Sequence, residues 1–143
     1  MSKQIIKTNQ APAAIGPYSQ AVKTGNLLFI SGQIPLNYET GNLVIGGIES
    51  ETHCTMKNIA AILEAAGGSF SNVVKTTIFL KSMNDFAKVN EVYASYFAAD
   101  FPARETVEVS RLPKDVNVEI SVIASLLKIM KLFLIRDLFL KKL

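Results

Sequence analysis

Two short β-forming stretches, residues 20–24 and 27–33, are separated only by Gly25-Asn26. Both turn residues tolerate positive φ, so the pair reads as a β-hairpin with a two-residue loop. Its second arm sets the strongest constraint on the fold. Residues 27–31 are apolar on both faces, with Leu28 and Ile30 on one and Leu27 and Phe29 on the other. A strand of that kind has to be covered on both sides.

The rest of the chain supplies cover for one side. Ahead of the hairpin, the prolines and glycine of residues 11–18 (APAAIGPY) impose an extended path, with a short strand expected near 5–8. Residues 35–47 form a loop punctuated by Asn37, Gly41, Asn42, Gly46 and Gly47. A first helix is expected from Ser50 as N-cap to Ala66, closed by Gly67-Gly68. Met56, Ile59, Ala60 and Leu63 form its buried stripe, His53 borders the core edge, and Cys54, Asn58 and Ala61 fall on the opposite face. A strand over 73–80 follows, with Val74, Thr76, Ile78 and Leu80 on one side. The second helix starts at the capping-box pattern of residues 82–85 and presents Phe86, Val89, Tyr93, Tyr96 and Phe97. Asn90 shares that face and is expected to be buried.

Two more strands, 105–109 and 118–124, are joined by the turn segment RLPKD. Strand alternation separates Val107 and Val109 from Arg104, Thr106 and Glu108, and Val118, Ile120 and Val122 from Glu119, Ser121 and Ile123. Arg104 is expected to point away from the helix-covered core. The whole is an α+β domain with a single sheet and two helices packed on one face. The face bearing Leu27, Phe29 and Ile123 is left without a helix, which calls for an oligomer.

A chain of 143 residues, 49% apolar and 19% charged, has the material for one core and is not a disordered segment. We divide it into a domain over 1–125 and an appended tail over 126–143. The net charge of +3 is misleading: the tail carries +4, which leaves −1 for the domain. A nucleic-acid-binding domain carries a basic face on its core, so no nucleic-acid partner is expected. The tail is apolar and basic but poorly amphipathic, and its longest uncharged apolar run toward the end, 132–135, is far short of the roughly 18 residues of a membrane span. An added element on the oligomer surface or a non-native extension is the better reading, and membrane association the weaker one. The first 20 residues lack the apolar stretch of a secretory leader, and Cys54 is the lone cysteine, so a cytoplasmic location is expected.

One histidine and one cysteine do not make a zinc site, and no glycine-rich phosphate loop follows a strand. What remains is a scattered polar group: Tyr18, Ser31, Asn90, Arg104, Thr106 and Glu119. Each has an ordinary structural reading; Arg104, for instance, suits a rim ion pair as well as an anion clamp.

Four separated motifs change that balance. Residues 15–20 (IGPYSQ), 30–35 (ISGQIP), 81–93 (KSMNDFAKVNEVY) and 101–120 (FPARETVEVSRLPKDVNVEI) together resemble the RidA family, in order and over residues 1–124. The resemblance implies a chorismate-mutase-like α+β fold, a homotrimer, and a site in the cleft between neighbouring subunits. It implies a 2-iminobutanoate/2-iminopropanoate deaminase that hydrolyses 2-aminoacrylate and 2-aminocrotonate to 2-oxo acids and ammonia. Carried over by position, Arg104 clamps the substrate carboxylate, and Glu119 and Tyr18 hold or activate the attacking water. Ser31, Gly32, Asn90 and Thr106 line the pocket. Neither cofactor nor metal is implied. Thr106 stands where many members carry cysteine. Other readings of the same family are an endoribonuclease or translation inhibitor, and a non-enzymatic small-ligand-binding or chaperone-like protein.

Overall fold

The Gly25-Asn26 turn organises the N-terminal half of the sheet, with Gly25 at φ 57. It joins β2 (Ala21–Thr24) to β3 (Leu27–Gln33), which pair antiparallel with Thr24 opposite Leu27. The computed structural model describes residues 2–126. A short β1 (Gln4–Ile6) adds to β2. The remaining elements are α1 (Ile48–Ala65), β4 (Val73–Leu80), α2 (Phe86–Ala94), β5 (Ala103–Glu108) and β6 (Val118–Ser125). They complete one six-stranded mixed sheet in the order β1-β2-β3-β6-β4-β5. Only β4 and β5 are parallel, and parallel neighbours need a crossover, which α2 provides. The turn after β5 therefore does not close a hairpin: it carries the chain past β4, and β6 inserts between β3 and β4.

Both helices cover one face. Leu28 and Ile30 of β3, Ile78 and Leu80 of β4, and Val118, Ile120 and Val122 of β6 are buried there against Met56, Ile59, Ile62 and Leu63 of α1 and Val89 and Tyr93 of α2. The other face keeps Leu27 and Phe29 about 40% exposed. Val107 is exposed there too, and Ile123 is half-buried. The two-sided apolarity of β3 is thus met on one side only within a single chain.

Four expectations need correction. Helix α1 begins at Ile48 rather than after Ser50, with Gly47 as its N-cap at φ 99; starting earlier buries Ile48. In β4, Val74 is 47% exposed while Val73 is buried, because the register against β6 shifts between Val73 and Lys75. One extra residue there reverses the side on which every earlier residue falls. Asn58 is not on an outer face: it is buried and donates to the carbonyls of Ile34 (3.2 Å) and Leu36 (3.0 Å), pinning the loop after β3 to α1. Asn90 is exposed rather than buried, because α2 turns its Val89–Tyr93 side to the sheet.

The last described residue still belongs to the domain. The Leu126 N–H donates to the Asn26 carbonyl (2.7 Å), and its side chain is buried against the Gly68 backbone. The rest of the expected tail, 127–143, lies outside the described residues. Among the described residues no helix is long and apolar enough to cross a membrane.

Candidate functional site

Five of the seven expected residues fall into two groups of different character on this chain, and a sixth, Asn90, joins the second. The first group forms where β3 meets β6. Ile30 pairs with Val122 and Gln33 with Ile120, so three steps along β3 match two along β6. The surplus residue is a bulge at Ser31-Gly32, the kind of irregularity that re-aims side chains beside binding sites. Ser31 is fixed by it: its Oγ donates to the Ser19 carbonyl (2.6 Å) and its N–H to the Gln20 carbonyl (3.0 Å). Gly32 leaves a space that the Glu119 carboxylate fills. A Cβ at Gly32 would lie 2.0 Å from Glu119 Oε1 and 2.9 Å from its carboxyl carbon, so any larger residue there would displace the carboxylate; the glycine matters by close approach rather than by φ.

Glu119 projects from the helix-free face, as the alternation implies, into a cleft of about 500 Å³ lined by Tyr18, Ser31, Gly32, Lys114 and the apolar Ile15, Ile34 and Pro113. Among the described residues nothing hydrogen-bonds to its carboxylate. Burial holds its pKa above the ordinary glutamate value, because the charged form loses hydration without gaining a partner. Tyr18 is half exposed on the wall of this cleft. Its loop is held by Gln20, a buried amide the sequence reading passed over. Gln20 Oε1 accepts from the Thr8 N–H (2.7 Å), and its Nε2 donates to the carbonyls of Thr8 (3.1 Å) and Pro12 (2.8 Å).

The second group lies on the other side of the sheet. Arg104 pairs in register with the buried Thr76, so its side chain leaves β5 on the helix face, next to α2. This corrects the expectation that it points away from the helices. The alternation within β5 was right; what sequence could not show was which side of this edge strand the helix covers. Arg104 Nη1 donates to Asn90 Oδ1 (2.6 Å). The guanidinium lies 5.1 Å from the ring centre of Tyr93 and 5.8 Å from that of Phe86, within cation–π range. Tyr93 is itself anchored, its hydroxyl donating to Thr76 Oγ1 (3.0 Å). Asn90, Tyr93, Phe101, Pro102 and Arg104 line a separate cleft of about 380 Å³.

Thr106 stands two residues along from Arg104 on the same face and lines neither cleft; its Oγ1 is buried without a hydrogen-bond partner among the described residues. His53 and Cys54 are in a third and larger cleft, about 790 Å³, on the outer side of α1, where His53 Nδ1 meets the Tyr96 hydroxyl at 2.8 Å. The adjacent thiol is pushed to a higher pKa by burial, which suits neither nucleophile nor metal ligand. Among the described residues no three His, Cys, Asp or Glu side chains come together as a metal site. Sequence reasoning missed Lys114 and the bulge. A glycine inside a strand pattern was the available signal for the bulge; nothing marked Lys114.

A family model described as Endoribonuclease L-PSP matches residues 8–126. A RutC family protein of Pyrococcus horikoshii is 60% identical over 122 residues, which is 85% of this chain and 97% of that one. A Mus musculus protein named 2-iminobutanoate/2-iminopropanoate deaminase is 50% identical over 122 residues, covering 85% of this chain and 90% of its own. The crystal structure of a member of the conserved Rid protein family from Yersinia pestis superposes with a TM-score of 0.85 at 52% identity, covering 87% of this chain and 99% of that chain.

Proposed function

The chain belongs to the RidA family, and from that premise we propose that it hydrolyses reactive 2-imino and 2-enamino acids, such as 2-aminocrotonate and 2-aminoacrylate, to 2-oxo acids and ammonia. The observation that carries this reading is the Glu119 carboxylate, lodged over the bulged Gly32, partly desolvated and without a hydrogen-bond partner among the described residues. A carboxylate so placed is free to take a proton from water and return it, and a pKa raised toward neutrality suits that work.

The chemistry needs little else. The imine carbon is already electrophilic, so water held by Glu119 and Tyr18 adds to it while Glu119 takes the water proton. That proton passes to nitrogen to give the tetrahedral carbinolamine; the carbinolamine hydroxyl proton then moves through Glu119 to the same nitrogen, the C–N bond breaks as C=O forms, and ammonia leaves. Arg104 anchors the substrate carboxylate through its planar fork. Ser31 and Gly32 shape the Glu119 cleft and Asn90 the Arg104 cleft, while Thr106 stands behind Arg104 on the same strand face. The reading needs no cofactor.

Within one chain Glu119 and Arg104 leave opposite faces of the sheet, so a single copy does not bring both to one ligand. We therefore place the complete site between copies of the chain, with Tyr18 and Glu119 from one and Arg104 and Asn90 from its neighbour. The exposed Leu27, Phe29 and Val107 supply the apolar surface for that association, as a homotrimer. RNA cleavage finds less support. It calls for an acid–base pair in a basic groove, and the Glu119 cleft offers one carboxylate and one lysine, while His53 lies elsewhere.

The test couples a PLP-dependent dehydratase, as the source of imine, to the full chain and times the appearance of 2-oxo acid. Acceleration at substoichiometric protein is expected; its absence overturns the deaminase reading in favour of ligand binding without catalysis. Sedimentation is expected to give the mass of three chains. Refolding Glu119→Gln together with Arg104→Ala should give more activity than either variant alone, since some mixed interfaces hold both wild-type groups. No regain in mixed oligomers rules out a site shared in this way.

A further inference from the structure

The Glu119 cleft holds one charged group that the proposed hydrolysis does not use. Lys114 lines this cleft and also a smaller neighbouring one that shares Tyr18, and among the described residues it is the sole cation lining either. Its ammonium has no ion pair among the described residues. The neighbouring acid, Asp115, is taken by Arg111, whose Nε and Nη2 donate to its two carboxylate oxygens at 2.7 and 3.3 Å.

The backbone there is costly. Lys114 sits at φ 54, ψ 22 and Asp115 at φ 56, two successive non-glycine residues in the left-handed region. Glycine or asparagine would occupy it with less strain, and strain of this kind persists where the geometry it enforces is used. The turn is clamped on both sides: Leu112 and Val116 are buried, the Asp115 N–H donates to the Leu112 carbonyl (3.0 Å), and Lys81 bonds to the Ser110 carbonyl. A clamped turn thus holds, beside a mainly apolar cleft, an exposed cation with no ion pair among the described residues.

We propose that Lys114 is a capture residue for small 2-imino and 2-oxo carboxylates, drawing the anion to the mouth of the Glu119 cleft. The identity of the anion rests on the deaminase reading. An exposed ammonium on a flexible stem acts as a point charge, so it steers and holds without fixing orientation, and its contribution is screened by salt. Lys114 therefore sets how readily the substrate is taken up, not how fast it reacts.

The experiment titrates 2-oxobutanoate and its neutral amide into the full chain at low and high salt, and measures KM and kcat in the coupled assay. Lys114→Gln is expected to weaken 2-oxobutanoate binding and raise KM by about five- to tenfold at low salt, with kcat within about twofold and the salt dependence flattened. The amide is expected to bind both proteins alike. Lys7→Gln, an equal charge change on an exposed residue away from the cleft, should behave as wild type. Lys114→Gly should weaken binding while the melting temperature holds or rises, which a residue kept for structure would not do. Wild-type affinity and salt dependence in Lys114→Gln overturn the proposal, as does failure of the wild-type chain to bind 2-oxobutanoate. Binding without imine hydrolysis in the wild type instead removes the deaminase reading and leaves the titration to judge Lys114.

Discussion

The two clefts keep their charges in opposite ways. At the bulge, Glu119 is partly desolvated and has no hydrogen-bond partner among the described residues, so its ionisation is costly and easily reversed. At the edge strand, Arg104 is held by the Asn90 side chain and lies against Tyr93 and Phe86, so the plane of its guanidinium is fixed. The first arrangement suits a group that must exchange a proton; the second suits one that must hold an anion in one orientation. The same sheet supports both because it separates them, with each charge on its own face.

The sharpest way to break this contrast is to remove the exchangeable proton. Glu119→Gln is expected to lower kcat by about 10²–10⁴-fold, the usual range for a lost general base. It should also leave the protein as stable as before or slightly more so, by about 1–2 °C at neutral pH, given the water that reaches this half-buried group. The sign follows from the raised pKa. The folded state binds the Glu119 proton more tightly than the unfolded chain, so stability falls as pH rises from the ordinary carboxylate range through the raised value. Glu119→Gln should remove that slope in thermal melts, and in the wild type the acid limb of kcat should lie above the ordinary carboxylate range. A melting temperature lowered by several degrees would show that the ionised Glu119 is stabilised after all.

Next in size is the fixed charge. Arg104→Ala is expected to cost about 10–100-fold in kcat/KM, as for a lost charge-assisted hydrogen bond of about 1.5–3 kcal/mol. Arg104→Lys should recover little, since an ammonium cannot bond Asn90 and a carboxylate in one plane while stacked on Tyr93. Steady-state kinetics with the coupled assay decide both. Gly32→Ala tests the space rather than the charge. Its Cβ would displace the far end of the Glu119 side chain, which is cheap for folding but moves the carboxylate, so about 10–100-fold is expected in kcat with a near-normal melting temperature. The smallest effect is at Asn90, where Asn90→Ala should raise KM about three- to tenfold while circular dichroism stays unchanged.

Much of this fold was legible because its punctuation is local. Gly25-Asn26 and the Gly67-Gly68 helix end act within a few residues and came out as expected; the α1 stripe did so for Met56, Ile59 and Leu63, while Ile62 and Ala61, not Ala60, complete the side packed on the core. The site was legible less evenly. Glu119 faces the helix-free side as its alternation implies, since Val118, Ile120 and Val122 are so plainly core. Arg104 was misplaced because β5 reads ARETVE, with no apolar side strong enough to say which face meets α2. The bulges at Ser31-Gly32 and Val73-Val74 escaped because a one-residue register shift is a property of two strands, not of either alone. Gln20 and Lys114 were missed for the same kind of reason: a buried amide is explained only by the carbonyls it meets, and a surface lysine only by the cleft beside it.

The position of β6 has a consequence for how the chain comes into being. It is the last strand of the domain in sequence, yet it lies between β3 and β4 near the middle of the sheet. Until it emerges from the ribosome, the β1–β3 unit and the β4–β5 pair share no ladder, and each exposes an unpaired edge that can template aggregation. Assembly thus waits on contacts between the two ends of the domain, which makes for slow, non-local folding. Glu119 lies on that same strand. A chain released before β6 begins lacks the Glu119 carboxylate as well as the strand that joins the sheet, so the cleft at the bulge and the joined sheet arise together.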